Sequence, residues 1–103
     1  MLLKLQTERV PVVTTAGAVA EVWRGGPRQA NLARALPGIA VATMDLATAQ
    51  RAGELLGNAK THDVIDAHVA LLVPPDGQVL TSDEPDIKRL LKVRGVSATI
   101  VRV

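Results

Sequence analysis

Three acidic residues stand where an ordinary apolar core would not place them. Glu21 and Asp66 each interrupt a run of apolar residues, and Asp83 follows a short predicted strand. A carboxylate near a core is costly unless it is paired, hydrogen-bonded or bound to a metal. Because hard cations prefer oxygen ligands, the three acids together indicate a site for Mg²⁺ or Mn²⁺. Such an ion activates water and neutralises charge on a phosphodiester.

Each acid, taken singly, also has an ordinary structural explanation. Asp63 with Asp66 has the spacing of a helix N-cap and the third helical residue, and so does Asp83 with Asp86. Carboxylates at both positions stabilise the start of a helix. Glu21 has no such explanation because it is expected in the middle of a helix, although a narrow polar face there would still bring it to solvent.

The two histidines add little to a metal site. His62 stands four residues before Asp66 and would share its helix face, whereas His68 sits among apolar residues. We expect structural or surface roles for both, since two histidines so placed do not make a convincing zinc site.

Composition predicts a small α/β domain built on aliphatic side chains. The chain has 103 residues, is 48% hydrophobic and contains one aromatic residue, Trp23, so its core must come from Val, Leu, Ile and Ala.

The absence of cysteine excludes disulfides and thiolate metal sites. No apolar run reaches the roughly 18 residues of a membrane span, and the first residues do not resemble a signal peptide, so we expect a cytoplasmic protein without membrane contact.

Strands alternate with helices along the chain, which favours a mostly parallel sheet. After a helical tail at 2–8, the pattern predicts strands at 10–14, 39–42, 78–81 and 97–101 and helices at 15–24, 28–36, 46–57, 62–73 and 84–94. The third predicted helix should begin at the N-cap Asp45 and end at Gly57. The last should turn Ile87, Leu90 and Leu91 inward.

Net charge alone does not argue for nucleic-acid binding. It is only +2, from 12 basic and 10 acidic residues. The basic residues do cluster in two stretches, formed by Arg24, Arg28 and Arg34 and by Lys88, Arg89, Lys92 and Arg94. The ordinary interpretation is two solvated helix faces; the alternative is contact with phosphates.

Three segments resemble conserved blocks of the PIN domain, a metal-dependent nuclease family. Residues 20–26, Ala-Glu-Val-Trp-Arg-Gly-Gly, resemble the second block, in which a helix carries an acidic ligand. Residues 63–67, Asp-Val-Ile-Asp-Ala, resemble the third, and residues 80–87, Leu-Thr-Ser-Asp-Glu-Pro-Asp-Ile, resemble the fourth. The order and separation of the blocks match as well. The resemblance covers about residues 10–103 and is greatest to bacterial toxin-type PIN proteins.

The resemblance implies a three-layer α/β fold with a central, mostly parallel sheet and a single PIN-like domain over residues 1–103. It implies a metal-dependent endoribonuclease that cleaves RNA with Mg²⁺ or Mn²⁺. The ligands carried over are Glu21, Asp66 and Asp83, with Asp86 as an accessory acid. Members of the family often form homodimers and are often held inactive by a cognate antitoxin.

One departure from the family pattern lies near the start of the chain. PIN domains normally begin with an apolar strand that ends in a catalytic Asp, and no such segment precedes Glu21; the only earlier acid is Glu8. The loss of this strand would remove one ligand and impair activity. Three functions therefore stay open: a ribonuclease, a catalytically inactive PIN-like module that binds a protein or RNA, and an unrelated α/β protein whose acids are only helix caps.

Overall fold

A computed structural model of the chain describes residues 13–26, 29–81 and 83–102. The described residues fall in two compact units, one within Met1–Thr43 and the other within Met44–Val103. Both units combine helices with a pair of parallel strands, which confirms the mixed α/β class and the parallel pairing. The predicted helical tail at 2–8, with Glu8, and the start of the first predicted strand lie outside the described residues.

The first unit is a short parallel strand pair with two short helices. Its elements are β1 (Val13–Thr15), α1 (Ala16–Val22), α2 (Ala30–Ala35), a 3-10 turn (Leu36–Gly38) and β2 (Ala40–Ala42). The two strands pair from Val13 opposite Ala40 to Thr15 opposite Ala42. Strand β1 passes directly into α1 because the side chain of Thr15 caps the helix, accepting a hydrogen bond from the Ala18 amide at 3.0 Å.

The second unit packs three helices and a second parallel strand pair. Its elements are α3 (Leu46–Ala59), α4 (Val64–Leu72), β3 (Gly77–Thr81), α5 (Glu84–Arg94) and β4 (Ala98–Arg102). The strands pair in register from Gly77 opposite Ala98 to Thr81 opposite Arg102, with α5 as the crossover. The core is aliphatic, as composition predicts, and consists of Ala52, Leu55, Ala59, Ala67, Val69, Ala70, Val73, Val79, Ile87, Leu90 and Leu91.

Local signals in the second unit predict its helices well, with two exceptions at helix ends. Helix α4 begins at Val64 rather than at residue 62, and α3 does not end where predicted. Helix α5 has the predicted bounds and buries the three predicted residues, and Asp45 caps α3 by accepting from the Thr48 amide at 2.8 Å. The predicted stop at Gly57 is wrong. Helix α3 continues to Ala59 and ends at Lys60, which adopts a left-handed conformation with φ 57°. Because Ala59 is buried in the core, packing favours the two additional helical residues.

The turn before β3 requires its glycine. The Gly77 amide donates to the Pro74 carbonyl at 2.9 Å, and a Cβ added at Gly77 would lie 2.9 Å from that same oxygen. A side chain would therefore collide with the turn. Residues 74–77, Pro-Pro-Asp-Gly, thus form the turn from which β3 runs toward Asp83.

Arg94 joins two helices rather than contributing to a solvated basic face. Its guanidinium donates hydrogen bonds to the main-chain carbonyls of Ala70, at 3.0 Å, and of Val73. These oxygens belong to the end of α4, where a helix leaves carbonyl groups without internal partners. The predicted place of Arg94 on a solvated face of the last helix is thus wrong. The other three basic residues of that stretch, Lys88, Arg89 and Lys92, are exposed.

Candidate metal centre

The first two acids of the site come from the start of α4. Asp63 is the N-cap, and its Oδ1 accepts a hydrogen bond from the Asp66 amide at 2.9 Å. The capping explanation is therefore confirmed for Asp63. The same bond leaves the second oxygen of this carboxylate for another partner. Asp66 lies in the first helical turn, so the two side chains are neighbours by local geometry.

The third acid comes from the carboxyl end of β3. Asp83 follows this strand and occupies the N-cap position of α5, yet its side chain caps no amide of the helix. Instead its own amide donates to Thr81 Oγ1 at 3.0 Å, which fixes the main chain just beyond the strand. The capping explanation thus fails for Asp83. Its carboxylate is placed where ligands of parallel α/β sheets are commonly bound.

These elements bring three carboxylates together. Asp63, Asp66 and Asp83 each offer an oxygen atom, and these atoms all lie within 4.8 Å of one another. Asp66 Oδ2 is buried and has no hydrogen-bond partner among the described residues. A buried oxygen without a partner costs free energy, so this atom needs a proton, a cation or a water as its partner.

The electrostatics of the cluster agree with that requirement. The pKa of Asp66 is raised from 3.8 to about 7, first by burial and then by the negative charge of Asp63. The hydrogen bond that Asp66 can donate to Asp83 once it is protonated, and the charges of Asp83 and Asp86, add to the effect. Without a cation, a proton on Asp66 therefore relieves the repulsion near neutral pH.

The donor set fits a hard divalent cation. All three candidate ligand atoms are carboxylate oxygens, the type that Mg²⁺ and Mn²⁺ prefer. Around an octahedral Mg²⁺ with bonds of about 2.1 Å, ligand oxygens lie about 3 Å apart when adjacent and about 4.2 Å apart when opposite. The separations here, within 4.8 Å, are compatible with direct coordination after small side-chain rotations or with one ligand acting through water.

Two other predicted site residues stand outside this trio of ligand atoms. Glu21 lies in the first unit, one residue before the end of α1, and its side chain is exposed. Only Ala18 of that helix is buried, so Glu21 reaches solvent, as one of the two alternatives held, and its expected position in the middle of a helix is wrong. Asp86 lies in the first turn of α5 and acts on Asp66 through its charge. Whether Glu21 or Asp86 binds a metal stays a prediction.

Sequence reasoning did not include Asp63 among the candidate ligands and assigned it only to capping. The spacing of three residues before Asp66 was the available signal. A capping carboxylate uses one oxygen for the backbone, and its second oxygen can join a neighbouring acid in binding a cation.

The two histidines take the structural and surface positions expected of them. His68 is 4% exposed on α4, while His62 is exposed. Burial lowers the pKa of His68, and the charge of Asp45 partly opposes this shift. His68 therefore tends to stay neutral and to fill the core.

The described part of the chain contains no helix that is both long and apolar enough to cross a membrane. No family model, no curated protein and no solved structure matches the chain. The resemblance to PIN nucleases therefore stays a prediction that rests on residues 20–26, 63–67 and 80–87.

Proposed function

We propose that the chain binds Mg²⁺ or Mn²⁺ through Asp63, Asp66 and Asp83 and acts as a metal-dependent endoribonuclease of PIN type. The observation that carries the proposal is the buried oxygen of Asp66, which has no described hydrogen-bond partner and belongs to a group of three converging carboxylates. Caps alone do not account for this arrangement, because Asp83 caps nothing and the pKa of Asp66 is raised by burial and by the neighbouring acids.

Each residue has a distinct part in this proposal. The Asp66 amide holds the Asp63 carboxylate, and Thr81 fixes the main chain that carries Asp83. Asp66 gives up its proton when a cation binds, since the positive charge replaces the proton between the carboxylates. A divalent cation held there supplies an activated water and neutralises charge on the scissile phosphate.

The first test is thermal melting of the metal-free chain during titration with Mg²⁺ or Mn²⁺. We expect the melting temperature to rise with metal, and we expect Asp66→Asn/Asp83→Asn to lose the rise. Asp76→Asn is the matched control, since this exposed acid stands at the opposite end of β3 and Asn tolerates its left-handed conformation. Equal metal responses in all three proteins would contradict the site.

Cleavage of a fluorescent single-stranded RNA then separates an enzyme from an inactive module. We expect Mn²⁺-dependent cleavage that Asp83→Asn abolishes and Asp76→Asn retains. Glu21→Gln tests one of the two remaining predicted ligands, Glu21 and Asp86. Because Glu21 is exposed, this change should leave the melting temperature unchanged. Metal binding without cleavage under any condition would instead favour a PIN-like module that binds a partner.

A further inference from the structure

The turn that leads into β3 contains a chemically reactive pair of residues. Asp76 is exposed and adopts a left-handed conformation with φ 60°. It is the one aspartate of the sequence that is followed by a glycine, Gly77. Because glycine has no Cβ, nothing on this residue hinders the approach of its main-chain nitrogen to the side-chain carboxyl carbon of Asp76. The pair stands at the opposite end of β3 from Asp83 and is not part of the candidate metal centre.

Two main-chain hydrogen bonds hold this turn. The Asp76 amide donates to the Ser97 carbonyl at 2.7 Å, and the Gly77 amide donates to the Pro74 carbonyl at 2.9 Å. Pro74 and Pro75 are exposed, so packing adds little to these bonds. A left-handed conformation also costs free energy in a residue other than glycine. The turn should therefore open locally at a lower free-energy cost than global unfolding requires.

Opening of the turn frees the nitrogen of Gly77 for reaction, because the hydrogen bond to Pro74 otherwise retains the amide proton. The nitrogen attacks Cγ of Asp76 and a C–N bond forms. The hydroxyl of the carboxyl group leaves with the amide proton as water, and a cyclic succinimide results. Water then adds to either ring carbonyl and returns a proton to the nitrogen. Cleavage at Cγ restores aspartate, whereas cleavage at the main-chain carbonyl carbon gives isoaspartate.

We propose that the Asp76-Gly77 pair is a site of spontaneous modification, at which the folded chain converts Asp76 to isoaspartate through this succinimide. The reaction releases and then takes up water, so it needs no other reactant. The product leads the main chain through the side chain of Asp76 and so lengthens it by one atom before Gly77. Because Gly77 pairs with Ala98 at the start of β3, the added atom disrupts the first position of this ladder. The proposal is independent of the metal site.

The test ages the folded, metal-free chain at physiological temperature and pH. Isoaspartate is measured by peptide mapping and by labelling with an isoaspartate-specific methyltransferase. We expect isoaspartate to accumulate at Asp76 without a change in mass, and in excess of any at Asp45, an exposed aspartate that is followed by Leu46. Asp76→Gly should lose the label, since it has no side-chain carboxyl, and glycine tolerates the left-handed conformation. Circular dichroism verifies that this variant is folded, and Asp76→Glu, whose longer side chain closes the ring less readily, replaces it if it is not.

Two further measurements test the chemistry and its consequence. Asp76→Asn should age faster than the natural chain, because its side chain loses ammonia instead of water, so this variant serves as a control in the metal experiments only when freshly purified. The separated isoaspartate form should melt at a lower temperature than the unaged chain. The proposal would be overturned by isoaspartate at Asp76 no more abundant than at Asp45, by unchanged labelling of Asp76→Gly, by formation only in the urea-unfolded chain, or by equal melting temperatures of the two forms.

Discussion

The substitution Asp66→Asn should stabilise the metal-free protein, because the native carboxylate is held in an unfavourable place. Its pKa of about 7, against an ordinary value of 3.8, corresponds to about 4 kcal/mol at most, since one pKa unit is worth about 1.36 kcal/mol. Asp66 remains partly exposed, and solvent screens the charges around it. We therefore expect about 1–2 kcal/mol of extra stability in the variant at pH 8.

The sign of the pH dependence follows from proton uptake. Between about pH 4 and pH 7 the folded state keeps a proton on Asp66 that the unfolded state releases. The contribution of Asp66 to stability is thus greatest below about pH 4, falls as pH rises through about 7 and then stays low. The lowered pKa of His68 acts in the opposite direction, with stability lost as pH falls below its ordinary value of 6.5. Because both proteins contain His68, its effect cancels in their difference.

The assay is urea unfolding followed by circular dichroism at pH 5, 6, 7 and 8, with metal removed by a chelator. The difference in unfolding free energy between Asp66→Asn and the natural chain should grow in favour of the variant as pH rises. Excess Mg²⁺ should reverse the order, since only the natural chain gains binding free energy, about 2.7 kcal/mol at a hundredfold excess over Kd. A variant that is less stable than the natural chain at pH 8 without metal would refute the reasoning, and Asp76→Asn should show no such pH-dependent difference.

Three further predictions concern neighbouring contacts. Asp63→Ser should keep most of the helix cap and change the free energy of unfolding by less than about 1 kcal/mol. It should nevertheless weaken metal binding, measured by calorimetry. An unchanged affinity for the metal would restrict Asp63 to capping. Thr81→Val removes the acceptor for the Asp83 amide. It should lower the free energy of unfolding, measured in urea, by about 1 kcal/mol and weaken metal binding several-fold. A change in stability alone would show that Thr81 does not position the site. Arg94→Met should lower the free energy of unfolding by about 2–3 kcal/mol, because two carbonyls at the end of α4 lose a charged donor. The control Arg89→Met, on the same helix, should change it by less than about 0.5 kcal/mol. Equal effects of the two substitutions would contradict this role of Arg94.

Local sequence patterns predicted the elements that depend on local physics. The bounds and buried face of α5 follow from its apolar spacing and from Gly95, which ends the helix with φ 76°. The N-cap Asp45 and the turn before β3 are likewise set by residues within four positions of each other. The parallel pairing of β3 with β4 follows from the helix between them, because a parallel connection needs a crossover of that length.

Tertiary structure decided what depends on residues distant in sequence. The composition of the acidic cluster is one such feature, since Asp83 meets Asp63 and Asp66 only because the end of β3 lies beside the start of α4. The end of α3 at Lys60, rather than at Gly57, reflects the burial of Ala59 in the core. A one-dimensional pattern reveals which side chains are able to bind a cation or end a helix. Only packing determines which of them converge and which remain buried without a partner, because that outcome is set by free energies of contact between separate elements.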